Sequence, residues 1–311
     1  SEPDRNLRVW FDTSAVGPFQ QLMPDTRIAA VPYALQAEGA VDADTVDGLH
    51  ARELRANYQN VVVVARSGGD FVDVQSAIDS IGDAGVDNTY LVWVAPGVYE
   101  ETVTMKPHIH LQGAGQHATI IRSAVDSVWP PTEATLILAR NTSLRDLTVE
   151  NFARGERNVA LLAIDGTNQT QVADVTARAK GSGTSNYAIL LSGSGTDVTL
   201  QRVTALAENG SDENYGLQNY GSVATLHGGS FTGREGVKAS GIYNNELATL
   251  EASSIAARGE NGSDETYGLL TRNSGAYVAV SQLEGGTHVK GGIMLTCFQV
   301  YDGNYVAYNC H

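Results

Sequence analysis

The chain has 311 residues, of which 42% are hydrophobic and 18% are charged, a composition typical of a folded chain rather than a disordered one. Its formal net charge of −15 argues against a nucleic-acid partner, because phosphate binding needs clustered Lys and Arg. No run approaches the roughly 18 apolar residues of a membrane span, so the chain is not expected to be transmembrane.

Residues 1–57 contain many residues that interrupt regular secondary structure, including Pro3, Pro18, Pro24 and Pro32. The acidic, Ala-rich stretch 41–50 follows them. Such a segment cannot bury much of a core by itself. The segment is therefore either a linker or an arm that folds against another surface, and we expect an extended N-terminal arm that serves as an assembly segment.

Regular elements begin at residue 60. Residues 61–65 form a buried-strand run of valines and alanine, and 90–94 form a second one. Between them, Phe71, Val74, Ala77, Ile78 and Ile81 lie on one face of a short amphipathic helix that Gly82 ends.

From about residue 134 the chain repeats itself with a period of 24–30 residues. Two interleaved series of strand positions share this drifting period: Leu144, Val172, Leu200, Leu226, Leu250 and Val280, and then Ala160, Ala188, Gly216, Gly241, Gly268 and Gly292. A period of this length without helical spacing indicates a solenoid. Short strands joined by Gly, Ser and Asn turns predict an all-β parallel β-helix over residues 58–296.

The two cysteines, Cys297 and Cys310, stand near the end of the chain. Their isolation predicts one disulfide that closes a C-terminal tail over 297–311, since two Cys without CxxC spacing form only half a metal site. A disulfide implies an oxidising compartment. We therefore expect a secreted or cell-surface protein, and interpret Ser1 as the start of a processed chain.

Several motifs between residues 61 and 151 occur in the order found in a known family. They are Val63-Val64-Ala65, Gly68-Gly69-Asp70-Phe71, the helix 74–79, Val94-Ala95-Pro96-Gly97-Val98-Tyr99-Glu100-Glu101, Leu111-Gln112-Gly113-Ala114-Gly115 and Leu147-Thr148-Val149-Glu150-Asn151. This segment resembles the start of pectin methylesterases in the pectin-lyase-like right-handed β-helix superfamily. The resemblance implies a right-handed β-helix whose first coil is capped by the helix near 73–81.

The catalytic motifs of that family are not found. The family's Gln-Ala-Val-Ala-Leu motif is replaced by Arg157-Asn158-Val159-Ala160-Leu161, with Asn158 at the Gln position. Its Gln-Asp pair, Asp-Phe-Ile-Phe-Gly motif and Arg-Pro-Trp sequence have no counterpart. Since such an esterase needs a carboxylate nucleophile, a second carboxylate and an Arg, no catalytic residue is carried over.

The two ends of the chain show a looser resemblance. Three N-terminal segments and the ending Cys297…Tyr301-Asp302…Tyr305…Cys310 look like parts of phage tail-fibre-like and bacterial surface-fibre proteins; the N-terminal ones are Val9-Trp10-Phe11, Val31-Pro32-Tyr33-Ala34-Leu35-Gln36-Ala37 and Ala43-Asp44-Thr45-Val46-Asp47-Gly48-Leu49-His50-Ala51. The likeness implies a stalk or assembly arm. The apolar surface of residues 7–37 predicts packing against another copy, giving a homo-oligomer or a filament.

Two acidic loops nearly duplicate each other at an offset of 52 residues. They carry Asp212, Glu213, Asp264 and Glu265, which would lie on one side of the solenoid two coils apart. One hypothesis is a calcium site, since hard cations take several oxygen ligands. The preferred interpretation is a solvated turn in which Asn-Gly supplies the residue with positive φ, because neither loop alone has the ligand density of a dedicated site.

Tyrosines recur along the repeats. Tyr215 and Tyr267 hold equivalent places, and Tyr243 is expected near the matching point of the coil between them. If exposed, these rings would contact a carbohydrate or another protomer; a structural ladder at the coil edge is the equal alternative. His108 and His110 alternate on one strand without a third metal ligand, so we interpret them as polar residues of an exposed face.

Two functions from different classes remain. The preferred one is a non-catalytic extracellular structural or adhesive protein that self-assembles through its arm as a surface fibre or filament. The alternative is a carbohydrate-active esterase or lyase, or a carbohydrate-binding protein, acting on an acidic polysaccharide. The missing catalytic motifs weigh against the alternative, and so does the charge of −15, which would repel polyuronates.

Overall fold

A computed structural model gives the structure of the chain. It describes six short strands within the first 50 residues and then residues 60–285, the strand at 287–290, and residues 294–302, 304, 306 and 307. The chain divides into two compact units, Ser1–Glu53 and Leu54–His311.

The first unit contains three antiparallel pairs of two-residue strands. They are β1 (Asn6–Leu7) with β4 (Thr26–Arg27), β2 (Trp10–Phe11) with β3 (Gln20–Gln21), and β5 (Thr45–Val46) with β6 (Leu49–His50). The side chains predicted to pack on another copy, in residues 7–37, lie outside the described residues.

The second unit is a right-handed parallel β-helix, as the repeat period and the motif order predicted. Its elements are β7 (Asn60–Val64), α1 (Val74–Ser80), β8 (Tyr90–Val94), β9 (Gly97–Glu100), β10 (Val103–Thr104), β11 (Ile109–Gly113), β12 (Thr119–Ser123), β13 (Leu136–Ile137), β14 (Ser143–Asn151), β15 (Arg157–Ala163), β16 (Thr170–Ala179), β17 (Ser185–Ser192), β18 (Asp197–Ala207), β19 (Glu213–Tyr220), β20 (Val223–Arg234), β21 (Lys238–Asn245), β22 (Thr249–Ser253), β23 (Ala256–Glu260), β24 (Glu265–Arg272), β25 (Gly275–Glu284), β26 (Thr287–Lys290) and β27 (Met294–Tyr301).

These strands form two parallel sheets that the chain visits in alternation. The short sheet has 8 strands in the order β10-β13-β15-β17-β19-β21-β24-β26. The long sheet has 13 strands and includes the run β7-β8-β11-β14-β16-β18-β20. Because one coil contributes a strand to each sheet, residues one coil apart stack in columns.

The helix α1 covers the first coil, as predicted. Asp73 is its N-cap and accepts a hydrogen bond from the Ser76 backbone N–H at 2.8 Å. The Glu101 carboxylate accepts two more, from Val74 N at 2.9 Å and Gln75 N at 2.8 Å. Val74 is buried in the interior cluster, so the helix closes the apolar end of the solenoid.

A column of residues in the left-handed backbone region marks a bend in the long sheet. The column consists of Asp146, Asp174, Arg202, Gly228, Ser254 and Val280, with φ from 46° to 70°. Two residues of the predicted strand series are therefore misplaced. Val280 is the bend residue of its coil, with φ 46°, and Leu250 pairs with Ala224 rather than with Leu226.

The interior is a single apolar cluster. Leu144, Val172, Leu200 and Leu226 stack in register and are fully buried, as the first four members of the series predicted. Fully burying each such side chain contributes roughly 1.5–3 kcal/mol. In the short sheet, Asn186 of β17 stacks in register on Asn214 of β19, and its Nδ2 donates to Asn214 Oδ1 at 3.0 Å.

At the C-terminal end, Cys297 lies in β27 and is disulfide-bonded. Its expected partner, Cys310, lies outside the described residues, so the pairing stays a prediction. Gly292, the last member of the second predicted strand series, also lies outside the described residues, so its position stays a prediction.

Candidate functional site

Most of the tyrosines that the sequence singled out lie on the outer face of the short sheet. One column consists of Val159, Tyr187, Tyr215, Ser240 and Tyr267, and a second of Leu162, Leu190, Gln218, Tyr243 and Leu270. We call these two columns the tyrosine face. Ser240, not Tyr243, therefore occupies the point that matches Tyr215 and Tyr267.

The tyrosine face is packed rather than exposed, which favours the structural ladder, one of the two equal interpretations of the sequence. Tyr215 is 1% exposed, and Tyr243 and Tyr267 are each 8% exposed. The ring centroids of Tyr215 and Tyr243 are 5.0 Å apart, and those of Tyr187 and Tyr215 are 5.7 Å apart. The rings stabilise one another in tilted contacts and are not free to stack on a sugar in this structure.

Glu213 organises the polar edge of the tyrosine face. Its carboxylate accepts a hydrogen bond from Tyr187 Oη at 2.7 Å and one from Lys238 Nζ at 3.1 Å. Burial, and then the Glu213 charge, raise the pKa of Tyr187 and of Tyr215 well above the ordinary tyrosine value. Both hydroxyls therefore remain protonated near neutral pH and act as hydrogen-bonding groups.

The acidic loops form no metal cluster within the described part of the chain. No group of three or more His, Cys, Asp or Glu side chains there is placed to hold an ion. Lys238 stands in register between Glu213 and Glu265, so an ammonium group separates the two carboxylates. Asn209 and Asn261 have φ of 71° and 57°, as the interpretation of solvated turns predicted. The calcium site remains a prediction that this geometry does not favour.

An open cleft lies on the outer face of the long sheet. The strand residues that line it alternate with the core residues and point away from the interior. Its volume is about 440 Å³, and the residues that line it are Val86, Thr89, His108, His110, Asn141, Thr142, Ser143, Arg145, Gln169 and Gln171. We call it the His110 cleft. Its lining combines one guanidinium, two imidazoles and several amides and hydroxyls, which are groups that bind sugar hydroxyls and carboxylates.

Strand register explains why these side chains meet. Leu111 of β11 pairs with Leu144 of β14, and both point into the core. The residues one step earlier, His110 and Ser143, therefore share the outer face. Their side chains are hydrogen-bonded, with His110 Nδ1 and Ser143 Oγ 2.9 Å apart. Ser143 in turn pairs in register with Gln171 of β16.

The charge of the His110 cleft is opposite to that of the chain. None of the described residues that line it is acidic, although the whole chain carries −15. Arg145 is exposed and makes no ion pair with any described residue, and its charge acts on the nearby carboxylates of Asp146 and Asp174. Burial, followed by the charges of Arg145 and His108, lowers the pKa of His110. Its imidazole is therefore neutral at neutral pH.

Sequence reasoning missed this cleft. His110 was interpreted as one of several exposed polar residues, yet it is half-buried and bonded to Ser143. The available signal was the distance of 33 residues that separates both His110 from Ser143 and Leu111 from Leu144. Asn158, which stands at the family's Gln position, is 1% exposed and donates to the Asn151 carbonyl at 3.2 Å, so it does not face the cleft.

Comparison with known proteins supports a carbohydrate-active class. The pectinesterase family model matches residues 60–204, which include every lining residue of the His110 cleft. The chain is pectin methylesterase-like over that segment. No curated protein matches it significantly by sequence. Across the described residues, no helix is long and apolar enough to cross a membrane.

Several solved structures are similar to the chain. Pectin methylesterase from carrot is 17% identical to this chain. The alignment covers 80% of this chain and 84% of the carrot chain, with a TM-score of 0.46. Pectin methylesterase PemA from Erwinia chrysanthemi has 12% identity, coverages of 81% and 91%, and a TM-score of 0.47. YbhC from Escherichia coli has 12% identity, coverages of 95% and 100%, and a TM-score of 0.46.

The preferred functional hypothesis from the sequence, a non-catalytic structural or adhesive fibre protein, is wrong. The matching family is an enzyme family of esterases, which supports the alternative hypothesis instead. The argument from net charge fails for a physical reason. Charges are screened beyond about 10 Å at ordinary ionic strength, so the groups lining a cleft outweigh the total of the chain. In the His110 cleft, those groups include the Arg145 guanidinium and no carboxylate of a described residue.

Proposed function

We propose that this chain is a carbohydrate-active protein that binds an esterified acidic polysaccharide in the His110 cleft and removes ester groups from it. The observation that carries the proposal is the exposed Arg145, which makes no ion pair with a described residue, in a cleft whose described lining holds no carboxylate, on the segment that the pectinesterase family model matches. The solved neighbours act on pectin by their names, and methyl-esterified polyuronate is accordingly the substrate class proposed for this chain.

Recognition would rest on complementary charge and on amides. A partially methyl-esterified polyuronate carries both free carboxylates and neutral esters, and the Arg145 guanidinium matches a carboxylate in a bidentate geometry. Gln169, Gln171 and Asn141 line the same cleft and offer both donors and acceptors to sugar hydroxyls. An ester bound beside a carboxylate held by Arg145 would then lie against Ser143.

The test is a binding and hydrolysis assay with the full chain. Partially methyl-esterified polygalacturonan is offered, and bound polymer and released methanol are both measured. Arg145→Gln is expected to weaken binding about tenfold or more, since a hydrogen-bonded charge contributes about 1.5–3 kcal/mol. Arg122→Gln is the matched control, because it makes the same charge change at a residue paired with Glu100 outside the cleft.

The two arginine variants distinguish binding in the His110 cleft from a general effect of charge. Binding that falls in Arg145→Gln and persists in Arg122→Gln supports the proposed site. Equal loss in both variants would mean that the polymer responds only to overall charge. Absence of any binding or methanol release with the unmodified chain would show that the proposed function is wrong.

We also propose that the chain works in an oxidising, extracellular compartment. The disulfide-bonded state of Cys297 supports this location, since structural disulfides persist outside the reducing cytosol. Thiol titration of the unfolded, unreduced chain is expected to find no free thiol. Two free thiols per chain would contradict the proposal.

A further inference from the structure

The His110 cleft contains one pair of side chains with the geometry of an activated nucleophile. Ser143 Oγ and His110 Nδ1 are 2.9 Å apart, within the range in which an imidazole can accept a hydroxyl proton. The two residues lie on neighbouring strands whose register is fixed by the core pair Leu111 and Leu144. Two rigid strands therefore hold the pair, rather than a loop.

We propose that Ser143 is the nucleophile, and His110 its general base, in the hydrolysis of carboxylic esters of sugar acids. This inference rests on the proposed function, because it names the residues that would perform the reaction in that cleft. The pectin methylesterase resemblance offered carboxylates for these roles, and the chain lacks them. A hydroxyl–imidazole pair is a different chemical solution on a similar fold.

The reaction balances without any co-reactant except water. Ser143 Oγ attacks the ester carbonyl carbon while His110 Nδ1 takes the hydroxyl proton, forming a tetrahedral intermediate. The bond from this carbon to the alkoxy oxygen breaks, and His110 returns the proton to the leaving alcohol. Water then attacks the acyl-serine, His110 accepts a water proton, and the carbon–Oγ bond breaks as Oγ is reprotonated. The products are a free uronic acid and an alcohol.

The groups around the pair suit each step. Burial, Arg145 and His108 keep His110 neutral, so that it can accept a proton. Arg145 and Gln171 line the cleft on the same face and supply N–H donors for the developing oxyanion. The nearest carboxylate on β14, Asp146, accepts a hydrogen bond from Gln112 Nε2 at 2.9 Å and is not among the lining residues.

The chain contains a matched control for this pair. His227 Nδ1 and Ser253 Oγ are 3.0 Å apart and also lie on neighbouring strands of the long sheet, β20 and β22. That pair is exposed and does not line the His110 cleft. If a hydroxyl–imidazole contact alone were enough for reactivity, both serines would react alike.

The experiment measures labelling and hydrolysis in the full chain. An alkyl fluorophosphonate probe is added at neutral pH, and the modified serine is located by peptide mass spectrometry. Methanol release from methyl-esterified polygalacturonan is measured in parallel. Label is expected on Ser143 and not on Ser253. Ser143→Ala should abolish both signals, and His110→Gln should lower both about 100-fold or more. Ser253→Ala and His227→Gln should change neither.

A pH profile supplies a second readout. Activity is expected to fall on the acid side with an apparent pKa below the ordinary histidine value, and this limb should disappear in His110→Gln. Circular dichroism confirms that each variant is folded.

Three results would overturn the inference. They are methanol release that survives in Ser143→Ala, equal labelling of both serines, and binding of the polymer with neither hydrolysis nor labelling. All three leave the proposed carbohydrate recognition standing. Failure to bind any polyuronate, with Ser143 still labelled, would instead remove the proposed substrate and keep the nucleophile.

Discussion

On the outer faces of both sheets, equivalent residues of successive coils stack in columns. The columns of the short sheet are packed, whereas those of the long sheet border an open cleft. On the short sheet, the columns that contain Tyr215 and Tyr243 are packed, and their rings are at most 8% exposed. On the long sheet, the column of His110, Ser143 and Gln171 borders an open cleft of about 440 Å³, and within that column Ser143 itself is 8% exposed. The first face is rich in aromatic area, and the second carries polar groups and the Arg145 guanidinium.

This difference separates stability from chemistry within one solenoid. Packed aromatic columns contribute free energy of folding but present no reactive atom to solvent. Open polar columns contribute little to folding and hold their side chains in register on strands. We therefore expect substitutions on the tyrosine face to change stability, and substitutions in the His110 cleft to change binding and turnover.

The largest expected effect is on the tyrosine face. Tyr215→Ala should lower the free energy of unfolding by about 3–5 kcal/mol, since it opens a cavity among packed rings. Urea denaturation measures the change. Tyr277→Ala is the control, because that ring is 48% exposed and its loss should cost about 0.5 kcal/mol or less. Equal small losses in both variants would mean that the tyrosine face is not a packed layer.

Alkaline pH should act on the same face. The pKa values of Tyr187 and Tyr215 are raised, so above pH 10 the unfolded chain releases these protons while the folded chain keeps them. Stability is present below the ordinary tyrosine pKa and should decline above it, by about 1.4 kcal/mol per pH unit for each buried tyrosine. Denaturation between pH 9 and 11 measures the slope, and Tyr187→Phe should reduce it. An unchanged slope in that variant would contradict the assignment.

A smaller effect is expected at the polar edge. Glu213→Gln removes the charged acceptor shared by Tyr187 and Lys238 and should cost about 1–3 kcal/mol. Glu100→Gln is the control, because its pair with Arg122 is exposed and screened by solvent, so its loss should change the free energy of unfolding much less. Thermal or urea denaturation distinguishes them. A larger loss in Glu100→Gln would reverse the ranking of the two pairs.

The smallest stability effect is expected in the His110 cleft. Ser143→Ala removes one side-chain hydrogen bond and should cost about 1 kcal/mol or less, while its effect on ester hydrolysis is the largest of any variant. Comparing its denaturation midpoint with that of Tyr215→Ala tests the separation directly. A loss of stability comparable to that of Tyr215→Ala would show that Ser143 is a structural residue.

The fold could be predicted because it depends on features that recur along the sequence. Leu144, Val172 and Leu200 repeat at the coil length, and the motif order around α1 identifies the first coils. The prediction failed at Leu250 and Val280 because Ala252 and Val278, two residues away from them, hold the places in register with Leu226. A spacing pattern alone does not show which residue takes the bend.

The site was harder to predict than the fold. Burial of an outer face depends on segments distant in sequence, as Trp129 illustrates by packing edge-to-face on Tyr220 with ring centroids 5.1 Å apart. The exposure of Tyr215 could therefore not be judged from its repeat position. The contact between His110 and Ser143 was not predicted because the coil that joins them is 33 residues long, outside the range of 24–30 residues that defined the repeats.

One structure determination tests the central claim most directly. The full chain is crystallised with a methyl-esterified oligogalacturonide, using Ser143→Ala to prevent turnover. Sugar density is expected in the His110 cleft, with a carboxylate on Arg145 and an ester carbonyl carbon next to the position of Ser143 Oγ. Sugar bound elsewhere on the solenoid, with the His110 cleft empty, would contradict it.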